Sequence, residues 1–219
     1  KRLGCKINLV GKRSIDVEGV KELKSATHKV IFDRIEAGTY IIAAALTKGK
    51  VKITNIDPKV MLTEISLLNR MGVKIKKKKN YITVTSSKRI RNINITTKPY
   101  PGFPTDLQAQ LMVLMTKAEG TSIIKENIFE NRFMHVSELR RMGANIEISG
   151  NKAKVFGRSK LHGAELMATD LRASVCLVLA GLTTKEKTIL NRIYHLDRGY
   201  EKIESKLSNC GARIKRLKR

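Results

Sequence analysis

The chain has 219 residues, of which 42% are hydrophobic and 29% charged, so it can bury a core and has the composition of an ordinary globular protein. Its formal net charge of +25 favours an anionic partner, although lysine is also overused along the whole chain. Aromatic residues make up only 5% and do not alternate with basic ones, which argues against nucleic acid.

The longest wholly apolar stretch, residues 40–46, is too short to cross a membrane, so we expect no membrane partner. The three cysteines are widely separated and form no metal-binding pair. Their number and spacing suit a reducing compartment, and we expect a cytoplasmic protein without a metal or cofactor.

A short glycine motif returns four times along the chain and predicts an internal repeat. The sequences are RLGCKI, RMGVKI, RMGANI and NCGARI, and their glycines, Gly4, Gly72, Gly143 and Gly211, are nearly evenly spaced. The last three follow amphipathic stretches. We expect each glycine to end a helix, where a left-handed backbone costs least in glycine.

The repeated unit has a fixed order of predicted elements: helix, strand, helix, and then a hairpin or its first strand. The three units cover residues 33–98, 99–163 and 164–219, and the last is expected to end in a strand, ARIKRLKR. Residues 1–32 resemble the glycine and strands of a unit without its helices. The chain is therefore expected to begin inside a further repeat; the alternative is a half repeat that caps the edge of the fold.

The first helix of each unit is predicted to be buried on every side. The stretches TYIIAAAL and SVCLVLAGL are apolar around the whole helix, and their small side chains let neighbouring helices approach closely. We therefore predict an α/β fold in which three helices form a central bundle and the strands lie outside it. This arrangement is the reverse of an ordinary α/β barrel.

The stretch PYPGFPTDLQAQ, residues 99–110, is richer in polar residues than packing requires. Its prolines stiffen the approach to a helix, with Thr105 and Asp106 at the helix start. The structural interpretation is that this pair caps the helix. The functional interpretation is that the loop holds the Asp106 carboxylate at the mouth of a cleft, where it could accept a proton from a substrate hydroxyl.

A second polar stretch, residues 126–139, joins a predicted strand to a helix. Its Arg132 is a guanidinium on a loop, which suits a phosphate or a carboxylate. Its His135 is interpreted as a residue that packs on the helix face.

A third pair of stretches, ATDLRAS and IYHLDRGYE, places Asp170, Arg172 and Arg198 near helix starts. Asp170 repeats the position of Asp106 in the next unit. The two arginines would make a positive pocket for a phosphate. The alternative is that Arg198 forms an internal salt bridge with a neighbouring carboxylate.

The motifs PGFPTDLQAQ, IFENRFMHV, ATDLRAS and DRGYE, in this order, resemble the UDP-N-acetylglucosamine enolpyruvyl transferase family. The resemblance runs from residue 1 to residue 219. It implies an inside-out α/β barrel domain of three repeats at residues 33–219, with residues 1–32 as the tail of a truncated first domain. It also implies transfer of the enolpyruvyl group of phosphoenolpyruvate to the sugar 3-hydroxyl, with release of phosphate, in peptidoglycan synthesis.

The resemblance also implies roles for individual residues. Asp106 would contact the sugar 3-hydroxyl and act as its base. Ile128, through its backbone, and Phe129 would line the UDP-sugar site. Arg198 would hold the phosphate or carboxylate of phosphoenolpyruvate. The full set expected at the substrates is Asp106, Ile128, Phe129, Arg132, Asp170, Arg172 and Arg198.

The sequence departs from the family in one respect that bears on activity. The family's proton-donating cysteine and several further substrate-binding residues belong to the other domain, and none of Cys5, Cys176 and Cys210 matches that cysteine. We expect the chain to be inactive alone and to need the missing amino-terminal domain, in an enzyme that the family suggests is a monomer. The alternatives are a non-catalytic, basic polyanion-binding module and one half of a split enzyme.

Overall fold

The computed structural model describes residues 1–11, 14–87 and 89–217. They divide into two compact units, Lys1–Ile31 and Phe32–Arg219. No helix in these ranges is both long and apolar enough to cross a membrane.

The smaller unit is an antiparallel hairpin of β1 (Lys6–Val10) and β2 (Ser14–Glu18). Lys6 lies opposite Glu18, and their Nζ and Oε2 atoms are 3.2 Å apart. Several apolar side chains of this unit are exposed, Leu9 at 80% among them. Such a surface is more apolar than a hairpin in water needs.

The larger unit contains the three predicted repeats. The first repeat consists of α1 (Arg34–Leu46), β3 (Lys50–Thr54), α2 (Leu62–Arg70), β4 (Lys74–Lys77) and β5 (Tyr81–Thr85). Its strands pair antiparallel, with β5 between β3 and β4.

An unpredicted strand, β6 (Asn94–Thr96), lies before residue 99, within the bounds predicted for the first repeat. The elements of the second repeat are α3 (Gln108–Thr116), β7 (Thr121–Lys125), α4 (His135–Arg141), β8 (Ile146–Ser149) and β9 (Lys152–Phe156). The sheet order is β6-β7-β9-β8, and β6 runs parallel to β7. Because β6 and β7 are joined through α3, this helix is a crossover between parallel strands.

The third repeat begins with an unpredicted strand. Its elements are β10 (Glu165–Met167), α5 (Leu171–Gly181), β11 (Ile189–Asn191) and α6 (Ile203–Asn209), with β10 parallel to β11. The predicted strand ARIKRLKR is wrong for residues 212–217, which form no strand; residues 218–219 lie outside the described ranges. In its place Arg216 contacts Asp197 at 2.6 Å and Glu204 at 3.2 Å.

The core lies around the first helix of each repeat. Every residue of α3 is buried, and most residues of α1 and α5 are buried as well. The described strands form four separate sheets and no closed barrel, so the fold shown is mixed α/β. The glycines predicted to end helices adopt left-handed backbones, with φ of +100° at Gly72, +92° at Gly143 and +96° at Gly211.

Candidate functional site

Asp106 lies on a 3₁₀ turn, Thr105–Leu107, directly before α3. The prediction that Thr105 and Asp106 cap the helix is not what the structure shows, because the turn has no side-chain cap and begins after Pro104. Instead, the carboxylate of Asp106 is bracketed by two guanidiniums. Its Oδ1 lies 3.2 Å from Nη2 of Arg132, and its Oδ2 lies 3.2 Å from Nη2 of Arg172.

This ion-pair cluster is accessible from solvent. The side chain of Asp106 is 38% exposed, whereas those of Arg132 and Arg172 are mostly buried. An ionised carboxylate can accept at about four lone-pair positions, so two arginines leave room for further donors. A substrate hydroxyl can therefore reach Asp106 without displacing either guanidinium.

Asp170 fixes the start of α5 and thereby the position of Arg172. Its Oδ1 accepts hydrogen bonds from the backbone N–H of Arg172 at 2.7 Å and of Ala173 at 2.9 Å. Its backbone is extended, as is usual for a residue that caps a helix. Asp170 therefore acts on Arg172 through the backbone.

Glu126 organises the loop after β7, although it was not among the predicted site residues. Its buried carboxylate accepts hydrogen bonds from the hydroxyls of Thr97 at 2.7 Å and Thr105 at 2.9 Å. It also accepts from the backbone N–H of Ile128 at 2.8 Å and of Phe129 at 3.3 Å. Because buried carboxylates need such donors, Glu126 ties this loop to the neighbour of Asp106. The available signal was an acidic residue directly after an alternating strand.

Phe129 presents its ring to solvent beside Arg132. Phe129 is 55% exposed, and the guanidinium carbon of Arg132 lies 5.1 Å from the centroid of its ring. This distance is within the range of a cation–π contact. Ile128 is also partly exposed. Ile128 and Phe129 together form an apolar surface on the loop that also carries Arg132.

His135 is buried at the first turn of α4, as its interpretation as a packing residue expected. Burial lowers the pKa of the imidazole to about 4, and the charge of Arg132 acts in the same direction, while Asp170 opposes it. The ring is therefore neutral near pH 7. Its Nε2 has no hydrogen-bond partner among the residues that the structure describes.

Arg198 ends a 3₁₀ helix, Ile193–Arg198, that packs against α5. The next residue, Gly199, faces Leu171: a Cβ added there would lie 2.9 Å from Leu171 Cδ2. Arg198 is exposed and forms no ion pair within the described ranges. The alternative of an internal salt bridge to Arg198 is therefore wrong; its neighbour Asp197 pairs with Arg216, and this hydrogen bond lowers the pKa of Asp197.

The structure thus brings Asp106, Arg132 and Arg172 into direct contact. Glu126 connects Ile128 and Phe129 to this cluster, because it also binds Thr105, the neighbour of Asp106. The carboxylate of Asp170 caps the start of α5, and the residue after Arg198, Gly199, lies against Leu171 there. Acidic and basic groups converge where the buried helices α3 and α5 begin. Which of these residues contact a substrate stays a prediction.

Comparison with known proteins shows clear relatives. The family model described as EPSP synthase (3-phosphoshikimate 1-carboxyvinyltransferase) matches residues 1–207. A UDP-N-acetylglucosamine 1-carboxyvinyltransferase of Pelagibacter ubique is 62% identical over 215 residues, which is 98% of this chain and 52% of the relative. One of Geotalea daltonii is 54% identical over 216 residues, which is 99% of this chain and 52% of the relative. The chain spans about half the length of the curated relatives it matches.

Solved structures agree with these relatives. The enolpyruvyl transferase NikO from Streptomyces tendae is similar with a TM-score of 0.88 and 31% identity, over 98% of this chain and 52% of that one. The EPSP synthase from Acinetobacter baumannii is similar with a TM-score of 0.81 over 99% of this chain and 54% of that one. Its 17% identity shows a shared fold alone.

Proposed function

Because this chain belongs to the EPSP synthase family, we propose that it is the carboxyl-terminal half of an enolpyruvyl transferase. The proposed reaction moves the enolpyruvyl group of phosphoenolpyruvate to the 3-hydroxyl of UDP-N-acetylglucosamine and releases phosphate. The observation that carries the proposal is the exposed Asp106 carboxylate between Arg132 and Arg172. The names and identities of the curated relatives support the choice of sugar nucleotide.

Asp106 is the proposed general base. Its carboxylate accepts the proton of the sugar 3-hydroxyl while the sugar oxygen forms a bond to C2 of phosphoenolpyruvate. A proton donated to C3 by a group proposed to lie on the amino-terminal domain gives a tetrahedral intermediate. Return of a C3 proton to that group and cleavage of the C2–O bond then regenerate the double bond, and phosphate leaves with the proton that Asp106 accepted. The guanidiniums of Arg132 and Arg172 hold the carboxylate in place throughout.

The arginines supply the positive charge that two anionic substrates require. Arg198 is exposed at the end of the 3₁₀ helix Ile193–Arg198 and is the proposed ligand of the phosphate or carboxylate of phosphoenolpyruvate. Arg132 contacts Asp106, and Arg172 contacts Asp106 and the hydroxyl of Tyr200; both guanidiniums retain further N–H donors. Phe129 and Ile128 provide an apolar surface for the sugar nucleotide.

The remaining catalytic groups are proposed to belong to an amino-terminal domain, of which residues 1–32 are the tail. Burial raises the pKa of the Cys176 thiol, so this cysteine is a poor proton donor near neutral pH. The exposed apolar side chains of the hairpin, Leu9 and Val17 among them, suit a surface that packs on such a domain. We further propose that residues 33–219 form an inside-out barrel domain and that the complete enzyme is a cytoplasmic monomer that serves peptidoglycan synthesis, and so cell shape and division.

A fusion protein tests this function. Residues 1–219 are joined to the amino-terminal half of the Pelagibacter ubique relative, and phosphate release from phosphoenolpyruvate is measured with and without UDP-N-acetylglucosamine. We expect release that requires both substrates in the fusion and no turnover by the 219-residue chain. A folded fusion without activity would contradict the proposal. Activity on mixing the two halves as separate chains would indicate a split enzyme.

A second candidate function, a non-catalytic polyanion-binding module, is favoured by the net charge of +25. It predicts tight binding to random-sequence DNA that weakens steeply with salt. The transferase predicts instead that UDP-N-acetylglucosamine raises the midpoint of thermal unfolding, because a ligand of the native state stabilises it. Measuring both on one preparation separates the two functions.

A further inference from the structure

A buried polar network lies directly beneath Asp106 and joins the three central helices. Its members are Thr39 of α1, Gln110 of α3, Arg172 of α5 and Tyr200, two residues after Arg198. The hydroxyl oxygen of Tyr200 lies 2.9 Å from Thr39 Oγ1, 3.4 Å from Gln110 Nε2 and 3.5 Å from Arg172 Nη1. Most polar groups buried among apolar helices have at least one hydrogen-bond partner, and the hydroxyl of Tyr200 has three polar neighbours.

The donors and acceptors of this network can be assigned from its geometry. The hydroxyl of Thr39 donates to the carbonyl of Ile35 at 2.9 Å, because a carbonyl can only accept. Tyr200 must then donate its own proton to Thr39. The lone pairs of the Tyr200 oxygen are left to accept from Arg172 and from the amide of Gln110, whose Nε2 also lies 3.2 Å from Thr39 Oγ1 and shares its N–H between the two hydroxyls.

Two parts of Asp106 depend on this network. The amide of Gln110 donates to the Asp106 backbone carbonyl at 3.0 Å, and Arg172 holds the carboxylate at 3.2 Å. Both Gln110 and Arg172 donate to the same Tyr200 oxygen. The Tyr200 hydroxyl therefore contacts both residues that hold Asp106: Gln110 at its backbone carbonyl and Arg172 at its carboxylate.

We propose that Tyr200 is a positioning residue, whose buried hydroxyl orients the guanidinium of Arg172 and so fixes the Asp106 carboxylate for proton transfer. The proposal rests on the proposed function for its catalytic consequence. Tyr200 touches no reacting atom. It is 1% exposed, and burial raises its pKa, so the hydroxyl keeps the proton that it donates to Thr39.

Tyr200 also connects this network to the second proposed substrate contact. Its backbone N–H donates to the carbonyl of Leu196 at 2.9 Å, which closes the 3₁₀ helix that carries Arg198. The ring is thus anchored under α5, while Arg198 projects from the same segment into solvent. Tyr200 therefore supports both Asp106, the proposed base, and the segment of Arg198, the proposed ligand of phosphoenolpyruvate.

The chain offers a matched control for removing this hydroxyl. Tyr40, on α1 beside Thr39, has a buried hydroxyl with no hydrogen-bond partner among the described residues. Tyr40→Phe and Tyr200→Phe each remove one buried oxygen, but only the second loses contacts to Thr39, Gln110 and Arg172. Thr39→Ser keeps the acceptor for Tyr200, whereas Thr39→Val removes it.

Nuclear magnetic resonance of the 219-residue chain tests the positioning without any substrate. Arginine side chains are labelled, the Arg172 signals are identified by their loss in Arg172→Lys, and rotation of the guanidinium about its Nε–Cζ bond is measured. We expect rotation about tenfold faster in Tyr200→Phe and Thr39→Val, as loss of a hydrogen bond to a charged group implies, and no change in Tyr40→Phe or Thr39→Ser. Equal rates in Tyr200→Phe and Tyr40→Phe would overturn the proposal.

The fusion enzyme tests the catalytic consequence. We expect Tyr200→Phe to lower kcat about tenfold with little change in the KM for UDP-N-acetylglucosamine, and Tyr40→Phe to change neither. Equal loss of activity in both variants would overturn this consequence. An inactive parent fusion would count against the proposed function alone, because the rotation measurement still decides the positioning.

Discussion

The carboxylate of Asp106 and the guanidinium of Arg172 belong to different repeats, yet their Oδ2 and Nη2 atoms are 3.2 Å apart. Asp106 precedes α3 in the second repeat, and Arg172 lies in the first turn of α5 in the third. Since α3 and α5 pack against each other in the core, their starting ends are held together. The candidate site is therefore a consequence of stacking one repeat on the next.

Replacing Asp106 by asparagine removes the proposed base and keeps the shape of the side chain. In the fusion enzyme we expect Asp106→Asn to lower kcat by about 100- to 10,000-fold, which is the usual contribution of a general base. Binding of UDP-N-acetylglucosamine should change much less. Glu147→Gln, which removes a carboxylate that is 64% exposed on β8, is the control. A kcat for Asp106→Asn within twofold of the control would contradict the assignment.

His135 should make stability fall in mild acid. Because burial lowers its native pKa to about 4, below the ordinary value of 6.5, the unfolded chain binds a proton first as the pH falls. Above pH 6.5 this titration leaves the free energy of unfolding unchanged. Between pH 6.5 and pH 4 it lowers the free energy of unfolding by about 3 kcal/mol in total.

The measurement is the free energy of unfolding from denaturant titrations at pH 7 and pH 4.5. In His135→Gln the drop between these two pH values should be smaller than in the parent, whatever the variant's stability at pH 7. His162→Gln, which removes an exposed histidine, is the control. An undiminished drop in His135→Gln would show that His135 is not the group responsible.

Gly38 of α1 packs closely against Leu107, in the turn that carries Asp106. A Cβ at this position would lie 2.5 Å from Cδ1 of Leu107. We expect Gly38→Ala to lower the free energy of unfolding by about 1–3 kcal/mol through overpacking, and Leu107→Val to recover part of that loss in the double variant.

The control for this substitution is Gly19→Ala, because no atom lies within 4 Å of a Cβ added at Gly19. It should change stability by no more than about 0.5 kcal/mol. Equal effects of the two glycine substitutions would mean that α1 and Leu107 are less tightly packed than the structure shows.

The main helices could be predicted from the sequence, since glycine motifs and apolar periodicity are local signals; they lie at Arg34–Leu46, Gln108–Thr116 and Leu171–Gly181. The two short strands β6 and β10 were missed because each has only three residues and is formed through pairing with a distant strand. The predicted strand at residues 212–217 failed because its alternation has no described partner strand, and Arg216 binds two carboxylates instead.

The residues of the candidate site could be selected from sequence motifs, but their geometry could not. Asp106, Arg132 and Arg172 stand in such motifs, yet no local pattern predicts that two arginines share one carboxylate. Their contact with a substrate stays a prediction. The role of Glu126 depends on Thr97 and Thr105, which reach it from other parts of the chain. Contacts of that kind are decided by tertiary packing, and a single sequence does not reveal them.

Hydrogen–deuterium exchange of the 219-residue chain with saturating UDP-N-acetylglucosamine is the sharpest test of whether Asp106 and the loop of Phe129 bind the sugar nucleotide. We expect slower exchange at residues 105–107 and 126–132, and no change in Asp106→Ala. Slower exchange confined to other parts of the chain, or none at any concentration, would contradict the assignment of this surface as the sugar-nucleotide site.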